Sequence, residues 1–139
     1  MKLTCDSERM NKLISSMRQS CCMLGELTEI TENDFLKDHH KQGSAKYNFI
    51  TAIEACIDIS NHLISKNKMR AAKDYADTFE VLAENKIIDS DFSQELMKMA
   101  RFRNLLVHLY WNVDSKELYS ILCQNQARNN TINRKENVC

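Results

Sequence analysis

The chain has 139 residues, one domain's worth, with 19 basic and 19 acidic side chains and a formal net charge of +0. That balance excludes a protein whose hold on nucleic acid comes from a global basic field, while leaving room for a small basic cleft. Proline is absent, only Gly25 and Gly43 are glycine, and 43% of the residues are hydrophobic, so an all-helical globular domain is expected rather than a disordered chain. No apolar run approaches the roughly 18 to 20 residues that span a bilayer, and the opening MKLTCDSERMNK turns polar at once, so a cytoplasmic location is expected.

In chain order, apolar residues recur at intervals of three and four from about Cys5 to Ile30, through Met10, Leu13, Ile14, Met17, Cys21, Leu24 and Leu27. This predicts a first amphipathic helix, with Thr4 as its N-cap. The segment TENDFLKDHHKQGS is polar and carries Gly43, and reads as a connection or a frayed helix start. A second helix is expected from about Ser44 to Ser65, with Phe49, Ile50, Ile53, Cys56, Ile57, Leu63 and Ile64 on its stripe. A third and shorter one, about Ala71 to Asn85, turns Tyr75, Thr78, Phe79 and Leu82 inward and lies across one end. Asp89 or Ser90 caps a fourth, which runs to Asp114-Ser115; these two residues then cap a last helix from Lys116 to about Gln126. The expected fold is therefore an all-α, up-down bundle of four to five helices. Residues 1–126 form the one domain, and 127–139 form a polar tail without an apolar stripe, expected to be disordered.

Several residues invite chemistry that their surroundings do not support. Six cysteines form no C-x-x-C pair and read as packing thiols. His39 and His40 stand in a polar segment and read as solvated, and His62 reads as a hydrogen-bonded packing histidine. Lys66, Lys68 and Arg70 cluster at a helix end, where they either complement the helix dipole or rim a nucleic-acid surface.

The fourth helix holds ARFRNLLVHLYWNVD, Ala100 to Asp114. On a wheel of about 100° per residue, Phe92, Leu96, Met99, Leu106, Val107 and Tyr110 make a core stripe with Arg103 in its middle. Phe102, Leu105, Leu109 and Trp111 cover other directions, so the segment is apolar nearly all round. Such a helix is buried on more than one side. In so small a domain the second surface is most simply another copy of the chain, which predicts a homodimer with this helix near the seam. Arg103 and His108 then lie close to an interface, where leaving them unpaired costs several kcal/mol. Spacing alone leaves two readings: a structural network, with Arg103 on a carboxylate such as Glu54 or Asp58, or a functional pair.

The run Arg103-Asn104-Leu105-Leu106-Val107-His108 resembles the motif of the HEPN superfamily, in which an arginine and a polar residue precede three variable residues and a histidine. Tyr110, two positions beyond, resembles the HepT branch, the toxins of type VII-like toxin–antitoxin systems paired with minimal nucleotidyltransferase antitoxins. AIEACIDISNHLIS, YADTFEVLAENKII and RFRNLLVHLYWNVD follow the family's order and spacing, and the similarity runs to about Cys123. It departs at NQARNNTINRKENVC, where relatives commonly continue with apolar positions.

The resemblance implies a homodimeric, metal-independent endoribonuclease that needs no cofactor. It further implies an RNA substrate, transfer or messenger, and a cognate minimal nucleotidyltransferase as antitoxin. The site residues it implies are Arg103, for phosphate charge, His108, for proton transfer, and Asn104, which orients the imidazole or contacts phosphate. Arg101 is an auxiliary phosphate contact. Tyr110 has two readings, a packed aromatic or the hydroxyl on which the antitoxin places an adenylate. Arg103 and His108 lie about 140° apart on an ideal helix, whereas Arg101, Asn104 and His108 share a face within about 60°. Three ways of closing that separation stay open: the long arginine bends round, the helix distorts near its end, or a dimer brings Arg103 of one chain toward His108 of the other. Two other functions stay open: a non-catalytic nucleotide- or substrate-binding subunit of a nucleotidyltransferase, and a purely structural dimer.

Overall fold

The computed structural model describes residues 3–124. Six helices follow one another: α1 (Ser7–Leu27), α2 (Glu32–Lys37), α3 (His39–Lys66), α4 (Tyr75–Glu84), α5 (Ser90–His108) and α6 (115–124), with a 3-10 turn, Tyr110–Asn112, between the last two. No strand occurs among the described residues, in agreement with the all-α bundle expected. No described helix is long and apolar enough to cross a membrane. Residues 127–139, expected as a polar tail, lie outside the described residues.

α3 is the central element, 28 residues long. α1 packs antiparallel along one side of it: Asp6 meets His62, Met17 meets Cys56, and Ser20 meets Thr51. α5 runs antiparallel along another side, where Phe102 sets its ring edge-on to Phe49 at 5.4 Å and Arg103 meets Glu54. α4 folds back on α5, with the Ser93 hydroxyl donating to the Phe79 carbonyl. The core between them is built from Phe35, Phe49, Ile53, Phe79, Leu106 and Leu118. Gln42 ties three elements together, donating to the carbonyls of Phe35 and Leu36 and accepting from the Ser115 hydroxyl.

Boundaries differ from expectation where capping outweighs periodicity. Asp6, not Thr4, caps α1, accepting from the amides of Glu8 and Arg9. Thr4 instead exchanges two hydrogen bonds with the Asn67 amide at the far end of α3, and His62 Nε2 accepts the Asp6 amide, so the segment before α1 is clasped there. The polar stretch read as a connection forms α2, capped by Thr31, and the first turns of α3, capped by Asp38. Gly43 is thus inside a helix. α4 starts later than expected, at Tyr75, because Asp74 caps it. On α5 the expected stripe is only partly inward. Phe92 and Val107 are exposed while Ser93 and Ala100 are buried, since the neighbour changes from α4 to α3 along the helix. Tyr110 belongs to the 3-10 turn rather than to α5.

Two helices end on lysines in the left-handed region, Lys68 (φ 54°) and Lys86 (φ 59°). At the end of α4 the amide of Lys86 bonds the Ala83 carbonyl and that of Ile87 bonds the Leu82 carbonyl, the pairing usually closed by glycine. An L side chain in that conformation costs about 1 kcal/mol or more. Lys86→Gly should therefore raise stability by about 1 kcal/mol, read from chemical denaturation.

Arg70, one of the clustered cations, is held by carboxylates. Its guanidinium bonds both Asp77 oxygens and both Glu84 oxygens, at 2.8 to 2.9 Å, bridging the α3–α4 loop to α4. The bonds from Arg70 hold both carboxyls below their ordinary values of 3.8 and 4.5. The stabilisation is thus fully present above those values and is lost as pH falls below them, when the carboxylates must protonate. The melting-temperature gap between the wild type and Arg70→Met should accordingly be widest near pH 7 and shrink toward about pH 3.

Candidate active site at the end of α5

The sequence around Arg103 reaches α3 and α4 together. Arg103 Nε and Nη2 donate to one Glu54 oxygen at 3.1 and 2.8 Å, Nη1 donates to Asn104 Oδ1 at 3.0 Å, and the guanidinium lies 4.9 Å from the Tyr75 ring centre. Only 14% of the side chain is exposed. The fork therefore has three of its five N–H donors engaged, leaving one on each terminal nitrogen. The carboxylate that sequence reasoning offered as one of two partners, Glu54, is the one that binds.

His108 is the last residue of α5 and faces solvent. Among the described residues no hydrogen bond engages its imidazole, so both ring nitrogens are open to a ligand. Asn104, one turn earlier, is exposed, and so is Arg101. The Arg103 guanidinium is turned to α3 and α4, where Glu54 and Tyr75 meet it, and no hydrogen bond among the described residues joins it to the exposed His108. Asn104 is the link between them, bonded to the arginine and a turn below the histidine.

α5 ends as the Leu109 amide closes on the Leu105 carbonyl, and the 3-10 turn follows with no side-chain cap of its own. Lys46 of α3 holds this turn. Its Nζ donates to the Tyr110 carbonyl at 2.8 Å and sits 4.4 Å from the Tyr110 ring centre and 6.0 Å from that of Trp111. The two rings stand edge to face at 5.1 Å. The Tyr110 hydroxyl lies against α3 at Gly43, where a Cβ would sit in ordinary van der Waals contact with it, at 3.5 Å. Trp111 projects outward, 89% exposed. Burial pushes the Lys46 ammonium below its ordinary value.

Sequence reasoning missed Lys46 and Tyr75. Lys46 had a signal: with Phe49, Ile50 and Ile53 it stands at the i, i+3, i+4, i+7 spacing of a core stripe, the same anomaly that marks Arg103. Tyr75 had none, because its contact with Arg103 depends on how α4 crosses α5. Cys56 is no nucleophile, its thiol pushed up to about 11 by burial. His39 and His40 are exposed in the first turn of α3, and the described residues contain no group of three His, Cys, Asp or Glu able to hold a metal ion.

Residues 17–132 match the family model described as Ribonuclease HepT-like. The mRNA nuclease HepT of Shewanella oneidensis is 36% identical over 78 residues, 56% of this chain and 59% of that curated relative's length. Among solved structures, a tri-AMPylated Shewanella oneidensis HEPN toxin in complex with an MNT antitoxin superposes with a TM-score of 0.77 at 24% identity, over 85% of this chain and 88% of that one. The cytosolic protein YutE of Bacillus subtilis, of unknown function, superposes with a TM-score of 0.74 at 21% identity, over 91% and 84%. At these identities the two structures share the fold. The family match, covering most of the residues and all of the α5 segment, carries the conclusion: the chain belongs to the Ribonuclease HepT-like family.

Proposed function

We propose that the chain is a metal-independent endoribonuclease, the toxin of a two-gene cytoplasmic toxin–antitoxin system. The observation that carries this is an open imidazole, His108, at the end of a helix whose Arg103 is locked by Glu54 and Asn104, in a chain of this family. The HepT relative, by name an mRNA nuclease, supports RNA as substrate.

RNA carries its own nucleophile. His108 takes the proton of the ribose 2′-hydroxyl as its oxygen attacks the neighbouring phosphorus, and the bond to the 5′-oxygen breaks. That oxygen leaves with a proton returned from imidazolium, giving a 2′,3′-cyclic phosphate and a free 5′-hydroxyl. Arg103 offers its two remaining N–H groups to the phosphoryl oxygens as charge builds there, Asn104 orients the imidazole, and Arg101 adds a phosphate contact. Because Arg103 is held by Glu54 and Asn104 and lies about 140° from His108 on an ideal helix, the site is completed by a second copy packed along α5. Exposed Leu105 and Leu109 give that face the apolar area an interface uses.

The partner is a minimal nucleotidyltransferase, as in the AMPylated relative bound to its antitoxin. The Tyr110 hydroxyl attacks the α-phosphorus of ATP, pyrophosphate leaves, and the tyrosine keeps an adenylate whose charge and bulk close the site. A second reading, a non-catalytic binding subunit, draws on the engagement of Arg103 by Glu54, which suits a structural arginine.

Cleavage of a defined RNA should survive EDTA and fall about a hundredfold or more in His108→Ala, with the oligomeric state unchanged by size-exclusion chromatography. Equal cleavage by the two proteins would leave the binding-subunit reading. Incubation with the cognate nucleotidyltransferase and ATP should add adenylate to the wild type and not to Tyr110→Phe, as read by intact mass. Modification of both would move the acceptor to another residue.

A further inference from the structure

Lys46 is 6% exposed in the third turn of α3, at a position whose helical neighbours Phe49 and Ile53 are core. A methionine there would pack without the desolvation that an ammonium suffers. The charge is spent on one place, the turn beyond α5: the bond to the Tyr110 carbonyl and the two ring contacts account for its surroundings. That turn lacks a cap, and it lies at the negative end of the α5 dipole, where a cation is favoured. No other charged side chain among the described residues bonds the turn.

We propose that Lys46 is a positioning residue of the site, an ammonium buried in α3 that fixes the 110–112 turn and so sets where Tyr110 and the His108 end of α5 stand. Its catalytic consequence rests on the nuclease reading above, but its effect on the turn does not. A catalytic end held from outside its own helix keeps its geometry only while the outside hold persists, and misplacement of a reacting group by about 1 Å can cost a hundredfold in rate. Removing the charge while keeping the reach therefore separates positioning from packing. Lys46→Met fills the same volume and no longer buries an ion, which offsets the loss of the bond to the Tyr110 carbonyl, so the fold should be about as stable as before.

The test compares Lys46→Met, Lys46→Arg and His108→Ala with the wild type. Lys46→Met should keep the melting temperature, lower kcat at least about tenfold with KM for RNA little changed, and show faster local motion of Trp111, the one tryptophan of the chain, by time-resolved fluorescence anisotropy. Lys46→Arg, which keeps a cation, should recover part of kcat and of the anisotropy. Unchanged kcat and unchanged anisotropy in Lys46→Met, beside an inactive His108→Ala, would overturn the inference and leave the nuclease reading intact. Parallel loss of stability and activity in both lysine variants would overturn it too, reducing Lys46 to packing. If His108→Ala cleaves like the wild type, the nuclease reading fails, and the anisotropy alone decides Lys46.

Discussion

The antiparallel contact of α5 with α3 is the constraint on which everything near the site depends. Three side chains of α3 spaced along its length, Lys46, Phe49 and Glu54, meet Tyr110, Phe102 and Arg103 in turn. The aromatic pair sets how closely the helices approach, and the two charged contacts on either side set how far one can slide along the other. A slip of one helical turn would leave an ammonium and a guanidinium without partners in an apolar surrounding, which is far costlier than the loss of a surface ion pair. Register here is specified by polar groups and depth by hydrophobic ones.

This arrangement divides labour along α5. Its penultimate turns are fixed by Arg103, which ties three helices and has little freedom left. Its last turn is barely held by its own helix, since the final carbonyls have no further amides to meet. Leu109 closes one bond back to Leu105, and the chain then relaxes into a 3-10 turn. A histidine at that place is exposed and unencumbered, as the proposed proton transfer requires, but would be poorly located without outside support. Lys46 of α3 supplies it by bonding the Tyr110 carbonyl. No buried side-chain nitrogen or oxygen among the described residues lacks a hydrogen bond, so the site's polar character is not achieved by leaving groups unsatisfied.

Much of this was legible in the sequence. Helical periodicity located α1, α3, α5 and most of α4, because their apolar stripes face one continuous core. The misplacement of Arg103 on its own stripe pointed to the contact with Glu54 and to the segment proposed as the site. What periodicity could not supply was identity of neighbours. Phe92 and Val107 lie on the average stripe of α5 and yet are exposed, because a straight wheel takes no account of which helix lies alongside at each turn. α2 and the beginning of α3 were hidden by composition: TENDFLKDHHKQGS is polar and carries a glycine, but Thr31 and Asp38 cap two helices within it. Tyr110 continues the wheel of α5 on paper and leaves it in space, since the backbone tightens after Leu109. Lys46 was legible and went unread, being the same kind of anomaly as Arg103 on a helix that otherwise looked ordinary.

The clasp of the first residues has a practical side. Asn67 and His62 draw Thr4 and Asp6 to the far end of α3, 21 positions beyond Lys46 and so about 30 Å along the helix at 1.5 Å per residue. An affinity tag or a fluorescent protein fused ahead of residue 3 would emerge at the pole opposite the 3-10 turn. The amino-terminal side is therefore the place from which to tether, label or immobilise this molecule while leaving the neighbourhood of the imidazole open to solvent.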